Sequence, residues 1–164
     1  MTSGFPSPDA KSPRRVYARR GVLTGGLAVC GLAVATVAAA QWFNVAGEIT
    51  DGKLSVQDAH VAATSGAITL VDIRRPDEWA RTGVGQGAVP IDMRDRDFVD
   101  QLLTHLTDKD APVALICARG VRSRGMTRKL TAAGFTNIID VPEGMLGSGA
   151  GPGWIASGLP VVKP

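Results

Sequence analysis

One stretch of the chain gathers the residues best suited to chemistry: Cys117-Ala118-Arg119-Gly120-Val121-Arg122-Ser123. The apolar run Val113-Ala114-Leu115-Ile116 carries the cysteine to the end of a buried strand, and the stretch from Arg122 to Ala133 reads as a helix with Gly134 as its stop. A loop this short, between a strand end and a helix start, can wrap its backbone N–H groups around a point above the sulfur. The result is an anion nest aided by the helix N-terminus. Gly120 supplies the permissive backbone that the wrap needs. Arg119, Arg122 and Arg124 add positive charge, and each of these effects favours thiolate over thiol. The chemistry implied is nucleophilic, with Cys117 as the attacking group and no metal or organic cofactor needed.

A plainer reading competes with it. A free cysteine at a strand end is commonly a small hydrophobe, and three arginines can be no more than the solvated start of a helix. The compartment bears on the choice, because in an oxidising environment a structural cysteine normally has a partner. The chain has two cysteines, Cys30 and Cys117. If the segment holding Cys30 is removed, Cys117 is left unpaired, which points to a working thiol.

The distribution of charge suggests that this segment is a leader. The 164 residues carry 18 Lys+Arg and 15 Asp+Glu, a net charge of +3. Residues 1–40 hold Lys11, Arg14, Arg15, Arg19 and Arg20 against Asp9, leaving 13 basic and 14 acidic residues beyond them, a net of −1. A body so nearly neutral disfavours a general nucleic-acid backbone binder. Residues 1–13 contain three prolines and three serines, the composition of a solvated tail. From Gly21 to Ala40 the chain runs 20 residues without a charge, 14 of them apolar. The segment Arg19-Arg20-Gly21-Val22-Leu23 resembles a twin-arginine export signal, with Arg14-Arg15 as a second candidate. Ala38-Ala39-Ala40 before Gln41 suits a small-residue cleavage site. The alternative is an uncleaved anchor, since about 20 apolar residues span a bilayer. The arginines would then stay in the cytoplasm and Trp42 would mark the outer interface. Either arrangement places the body outside the cytoplasm, in the periplasm, after recognition by export machinery. Cys30 follows Leu27-Ala28-Val29 and reads as apolar filler in this leader. The expected organisation is therefore a leader or anchor over 1–40, a linker over 41–53 and one domain over 54–164.

The elements that must position Cys117 alternate in type. Ser55-Val56-Gln57-Asp58 has the form of a capping box before a helix to about Thr64, with Gly66 as its stop. Ile68-Thr69-Leu70-Val71-Asp72-Ile73 predicts a buried strand, and Pro76 opens a brief turn of helix through Asp77, Glu78 and Trp79. Val89-Pro90-Ile91 is a strand candidate. Phe98, Leu102, Leu103 and Leu106 lie on one face of a helix over 96–107. The strand before Cys117 and the helix after it precede a third strand, Asn137-Ile138-Ile139-Asp140-Val141. This order predicts an α/β fold, a central mainly parallel sheet flanked by helices, with functional groups at the carboxyl ends of its strands. The glycine-rich stretch 144–153 predicts a loop, and its 147–152 part is either the rim of a pocket or a flexible surface segment.

With these pieces in order, the chain resembles the single-domain rhodaneses, a family of sulfurtransferases. Cys117-Ala118-Arg119-Gly120-Val121-Arg122-Ser123 is similar to their active-site loop, and Asp72-Ile73-Arg74 with Pro76-Asp77-Glu78 resembles their "D-x-R-x-P-x-E" segment. Gly134-Phe135-Thr136-Asn137-Ile138, Glu143-Gly144-Met145 and the closing stretch from Trp154 to Val161 extend the likeness over about residues 53–162. The resemblance implies a rhodanese-like three-layer fold. It implies that Cys117 takes sulfur from a donor such as thiosulfate, becomes a persulfide, and passes the sulfur to cyanide or a thiol. It gives the N–H groups of 118–123 the task of stabilising the persulfide. Arg122 would steady the loop and draw in the anionic donor, with Arg119 a candidate for donor binding. Asp72 and Arg74 read as a partly buried ion pair in support. Related cell-cycle phosphatases have five residues between cysteine and arginine, whereas Cys117 and Arg122 are separated by four, a tighter loop that suits one sulfur atom. Where the family often has "G-H-I-P-G-A", this chain has Gly83-Val84-Gly85-Gln86-Gly87-Ala88. His60 and His105, the two histidines, read as surface residues of helices, so no Cys-His set is claimed. Three functions follow in order: a sulfurtransferase, a non-catalytic sulfur-carrier or interaction module, and a phosphatase.

Overall fold

The computed structural model describes Met1 and residues 52–164. The expected leader or anchor and most of the linker lie outside the described residues. Among the described residues, no helix is long and apolar enough to cross a membrane.

Helix α1, Val56–Thr64, starts where expected: the Asp58 N–H donates to the Ser55 Oγ at 3.1 Å, and the Ser55 hydroxyl also bonds the Asp58 carboxylate. Val56, Ala59 and Ala62 form its buried face. Strand β1 is Thr69–Asp72 and helix α2 is Pro76–Thr82, with Pro76 in its first turn. Two short strands follow, β2 at Val84–Gly85 and β3 at Ala88–Pro90. Helix α3 is Phe98–Leu103, strand β4 Val113–Ile116, helix α4 Val121–Ala132 and strand β5 Ile138–Val141. A one-turn helix α5, Gly153–Ala156, and strand β6, Val161–Val162, complete the order.

Strands β3, β1, β4 and β5 form a parallel sheet in that order. Successive strand side chains point to opposite faces, and the core divides accordingly. Leu70, Ala114, Ile116, Ile139 and Val141 pack with α1 and Trp154 on one face. Val71, Ile73, Val113, Leu115 and Cys117 pack on the other with Phe98, Leu102, Met126 and Leu130 from α3 and α4. Each central strand is apolar on both sides, so its sequence reads as a continuous apolar run.

Five elements differ from expectation. Helix α2 is longer than a brief turn, because an Arg81–Asp77 pair at 3.1 Å supports its exposed side. Helix α3 is shorter than 96–107: the Thr104 hydroxyl donates to the Gln101 carbonyl at 2.7 Å and the His105 N–H to Leu102 at 3.0 Å, bonds that tighten and end it. The antiparallel β2–β6 pair and α5 are both additions. Helix α5 holds through Trp154, which is fully buried and donates its Nε1–H to the Pro160 carbonyl at 2.9 Å. Substituting Trp154 by Ala is expected to cost about 3–5 kcal/mol. Chemical denaturation measures this, and a cost under 1 kcal/mol would show that the C-terminal segment is not part of the core.

Candidate active site

The chain winds from β1 to β3 on one side and then returns to place β4 on the other side of β1. The winding therefore reverses between β1 and β4, where open parallel sheets form a crevice at their carboxyl ends. Asp72 and Ile116, the last residues of β1 and β4, are register partners, and Cys117 follows Ile116 directly. Cys117 is only 1% exposed and packs among the apolar residues of the α3–α4 face. To that extent it behaves as the small hydrophobe of the plainer reading. Its surroundings on the loop side are polar. The Cys117 thiol donates to the Ser123 Oγ at 3.8 Å, and the buried Ser123 hydroxyl donates to the Gly120 carbonyl at 3.1 Å.

Two close approaches shape the loop. Gly120 has φ 74°, and a Cβ there would stand 2.3 Å from the Pro142 carbonyl oxygen. Gly144 has φ 69°, and a Cβ there would lie 2.7 Å from the Cys117 carbonyl oxygen and 2.6 Å from that of Ala118. Both positions therefore require glycine. This contact lets the Met145 and Leu146 N–H groups donate to the Cys117 and Ala118 carbonyls at 2.8 and 2.9 Å. The N–H groups of Ala118, Arg119, Gly120, Val121, Arg122 and Ser123 have no acceptor among the described residues. The loop's first two carbonyls are thus occupied while its donors are unclaimed, the arrangement that receives an anion.

The arginines brace this loop. Arg122 donates to both Glu78 oxygens at 2.7 Å, joining the start of α4 to α2. The hydrogen bond from Arg122 holds the Glu78 carboxyl down at about 2, against burial, which acts in the opposite direction. Arg122 is raised in turn by Glu78. Arg122 thus ties the start of α4 to α2 through both of its terminal nitrogens. Arg124 Nε donates to the Gly120 carbonyl at 3.1 Å, and Arg119 Nη1 to the Gly147 carbonyl at 3.2 Å.

Asp72 and Arg74 form an ion pair that is wholly buried, not partly as expected, with Arg74 Nη2 2.7 Å from Asp72 Oδ2. Arg74 also donates to the Thr82 hydroxyl at 2.8 Å and the Gly83 carbonyl at 2.7 Å. None of these bonds reaches residues 117–123, so the pair fixes the end of α2 against β1. Val84, where the family often carries histidine, is buried in β2 opposite Val162. His105 is exposed, whereas His60 is half-buried with its ring edge-on to Trp154 at 5.4 Å. Its ring nitrogen lies 3.2 Å from the Gln86 amide oxygen, which leaves it an edge contact and not a free surface group.

Three carboxylates matter here that the sequence did not mark for a role. Glu78 is the partner of Arg122. Glu143 accepts from the Val56 N–H at 3.2 Å and the Gly153 N–H at 3.3 Å, so one side chain serves the starts of α1 and α5. Asp140 lies buried on β5 with Oδ1 lacking a hydrogen-bond partner. Glu78 and Glu143 had a sequence signal, the first in the proline-led helix start and the second in the Glu143-Gly144-Met145 match, whereas Asp140 had none.

The chain belongs to the rhodanese-like domain family, whose model matches residues 55–147. Among solved structures, it is similar to the polysulfide-sulfur transferase homodimer of Wolinella succinogenes, with 25% identity, a TM-score of 0.53, and coverage of 75% of this chain and 85% of that one. It is also similar to the rhodanese-like domain of an Anabaena sp. protein, with 19% identity, a TM-score of 0.55, and coverage of 70% and 81%. At that identity the second likeness shows the fold.

Folding lowers the Glu78 pKa from 4.5 to about 2, so its contribution to stability is complete above pH 4.5 and disappears as pH falls toward 2. Glu78→Gln is expected to cost about 1.5–3 kcal/mol at neutral pH, with the gap from the parent chain narrowing across that acid range. Thermal unfolding as a function of pH measures it, and a gap that does not change with pH would contradict the assignment. Asp72→Ala, which leaves Arg74 buried and unpaired, is expected to cost about 3–5 kcal/mol. The surviving folded fraction should keep its reactivity at Cys117, because the pair makes no contact with the loop.

Proposed function

We propose that this chain is a sulfurtransferase that carries sulfane sulfur on Cys117. The observation that supports the reading most is the pairing of a strand-end cysteine with a loop whose N–H groups lack acceptors. The Cys117 thiolate attacks the outer sulfur of a donor such as thiosulfate. A bond forms between Sγ and that sulfur, the donor's S–S bond breaks, and sulfite leaves with the electron pair. The resulting persulfide carries a negative charge that the N–H groups of 118–123 are placed to stabilise as fixed dipoles. A nucleophilic acceptor, a thiol or cyanide, then attacks the terminal sulfur, and Cys117 departs as thiolate. Ser123, which accepts from the thiol in the resting state, supports the same sulfur. The four-residue spacing between Cys117 and Arg122 favours sulfur over a phosphoryl group.

We also propose that the protein works outside the cytoplasm, either released by cleavage after Ala40 or anchored through residues 21–40. The arginine pairs and the uncharged apolar stretch support this. The N-terminal sequence of the protein recovered from its host distinguishes the two forms: a start near Gln41 means cleavage, and an intact leader means an anchor.

Mass spectrometry after incubation with thiosulfate tests the activity. One added sulfur atom per chain is expected, absent in Cys117→Ser and removed from the parent chain by cyanide. If no adduct forms with thiosulfate, but a protein partner loads the persulfide, the chain is a carrier module. An adduct that persists in Cys117→Ser overturns the role of Cys117.

A further inference from the structure

A buried carboxylate one strand away from the reactive sulfur has no part in the chemistry described so far. Asp140 on β5 is the register partner of Leu115 on β4. Its neighbours Ile139 and Val141 pack with α1, so Asp140 points to the opposite face, where Leu115 and Cys117 pack with α3 and α4. Cys117 is two residues beyond Leu115. In the geometry of a parallel sheet this diagonal is about 8 Å. Ser123, fully buried in the first turn of α4, covers both groups. Its hydroxyl accepts from the Cys117 thiol at 3.8 Å and lies close enough to Asp140 to act on the carboxyl.

The Ser123 hydroxyl has one proton to give. In the resting structure it donates that proton to the Gly120 carbonyl at 3.1 Å. A negative sulfur would compete for it, and so does the Asp140 carboxylate. Asp140 is 8% exposed, its Oδ1 has no hydrogen-bond partner, and it forms no ion pair among the described residues. Burial pushes the Asp140 carboxyl up, opposed by the Ser123 hydroxyl, by the charges of Arg124 and Lys53, and by the Val141 N–H. Arg124 is itself engaged, its Nε donating to the Gly120 carbonyl. Lys53, Arg119 and Arg124 share with Asp140 the walls of a cleft of about 420 Å³ closed on one side by 148–150. The 147–152 segment therefore rims a pocket, one of its two expected roles.

We propose that Asp140 is a positioning residue for Cys117: acting through the Ser123 hydroxyl, its charge sets how readily the sulfur becomes negative. Ionised, Asp140 draws the Ser123 proton away from the sulfur and places a like charge on the same face of the sheet, which disfavours the thiolate. Protonated, Asp140 donates to the Ser123 Oγ, and the hydroxyl turns to donate to the sulfur. No bond to sulfur forms or breaks in this change. The proton on Asp140 is exchanged with water, and the Ser123 hydroxyl only reorients. The two sites are thereby linked, because a negative charge arriving at the sulfur draws a proton onto Asp140. The effect on the thiol stands on this geometry, whereas its extension to a persulfide rests on the sulfur-transfer reading.

The ultraviolet absorbance of the thiolate, followed against pH in the full chain, tests this without any transfer of sulfur. Subtracting the Cys117→Ser counterpart of each chain isolates the signal of Cys117. In Asp140→Asn the signal is expected about one pH unit lower than in the parent, which is about tenfold more thiolate at a given pH on the rising limb. Asp140→Ala should shift it in the same direction, and thermal unfolding checks that both variants remain folded. In a Ser123→Ala background the shift caused by Asp140→Asn should fall to less than half, because the shared hydroxyl is gone. An equal shift with and without that hydroxyl overturns the part given to Ser123. An unmoved signal in a folded Asp140 variant overturns the proposal and leaves the sulfur-transfer reading untouched. A second measurement needs no change at Asp140: by NMR, its side-chain carboxyl carbon in the parent should sense the Cys117 titration as a step that Cys117→Ser abolishes. The absence of that step overturns the coupling. If the thiolate shifts as expected but no donor leaves sulfur on Cys117, the sulfur-transfer reading fails and the role of Asp140 stands.

Discussion

The bonds from the Met145 and Leu146 N–H groups to the carbonyls of Cys117 and Ala118 are the constraint on which the site depends. A chain leaving a parallel strand has donors and acceptors to satisfy, and normally both find partners. Here the turn after β5 takes the acceptors, and it comes close enough only because Gly144 has no side chain. The donors of the next six residues are left facing a need that the protein itself does not meet. Several of these residues are open to solvent, so their donors are free to receive an anion at the sulfur.

Charged pairs then fix where this loop sits. Arg122 and Glu78 join the loop to α2, while Asp72 and Arg74 join α2 to β1. Only the first pair touches the loop; the second holds α2 to the sheet. Arg124 and Arg119 fasten other carbonyls, at Gly120 and Gly147. Positive charge gathered around Cys117 is therefore largely structural in its contacts. Its long-range field still favours an anion at the loop, while the contacts that would hold one are the backbone donors.

The legible parts of the fold were those written locally. Strands β1, β4 and β5 are apolar runs buried on both faces, Ser55 marks the start of α1, and Gly134 stops α4. The Cys117 loop was readable for the same reason, since its residues are contiguous. What escaped depended on partners far apart in the chain. Glu78 meets Arg122 across 44 positions, and Glu143 reaches the Val56 N–H across 87. Strands β2 and β6 are two residues each, too short for alternation to show. Asp140 looked like one polar residue in a strand, and only the packing of α4 over β5 reveals that its Oδ1 is buried without a hydrogen-bond partner.

The central claim is that the N–H groups of 118–123 stabilise sulfur carried on Cys117. A crystal structure of the chain after reaction with thiosulfate tests it most directly. The account predicts one additional sulfur atom bonded to Cys117 Sγ and lying within hydrogen-bond distance of several of those N–H groups. A persulfide turned away from them, or sulfur bound at another residue while Cys117 stays unmodified, would contradict it.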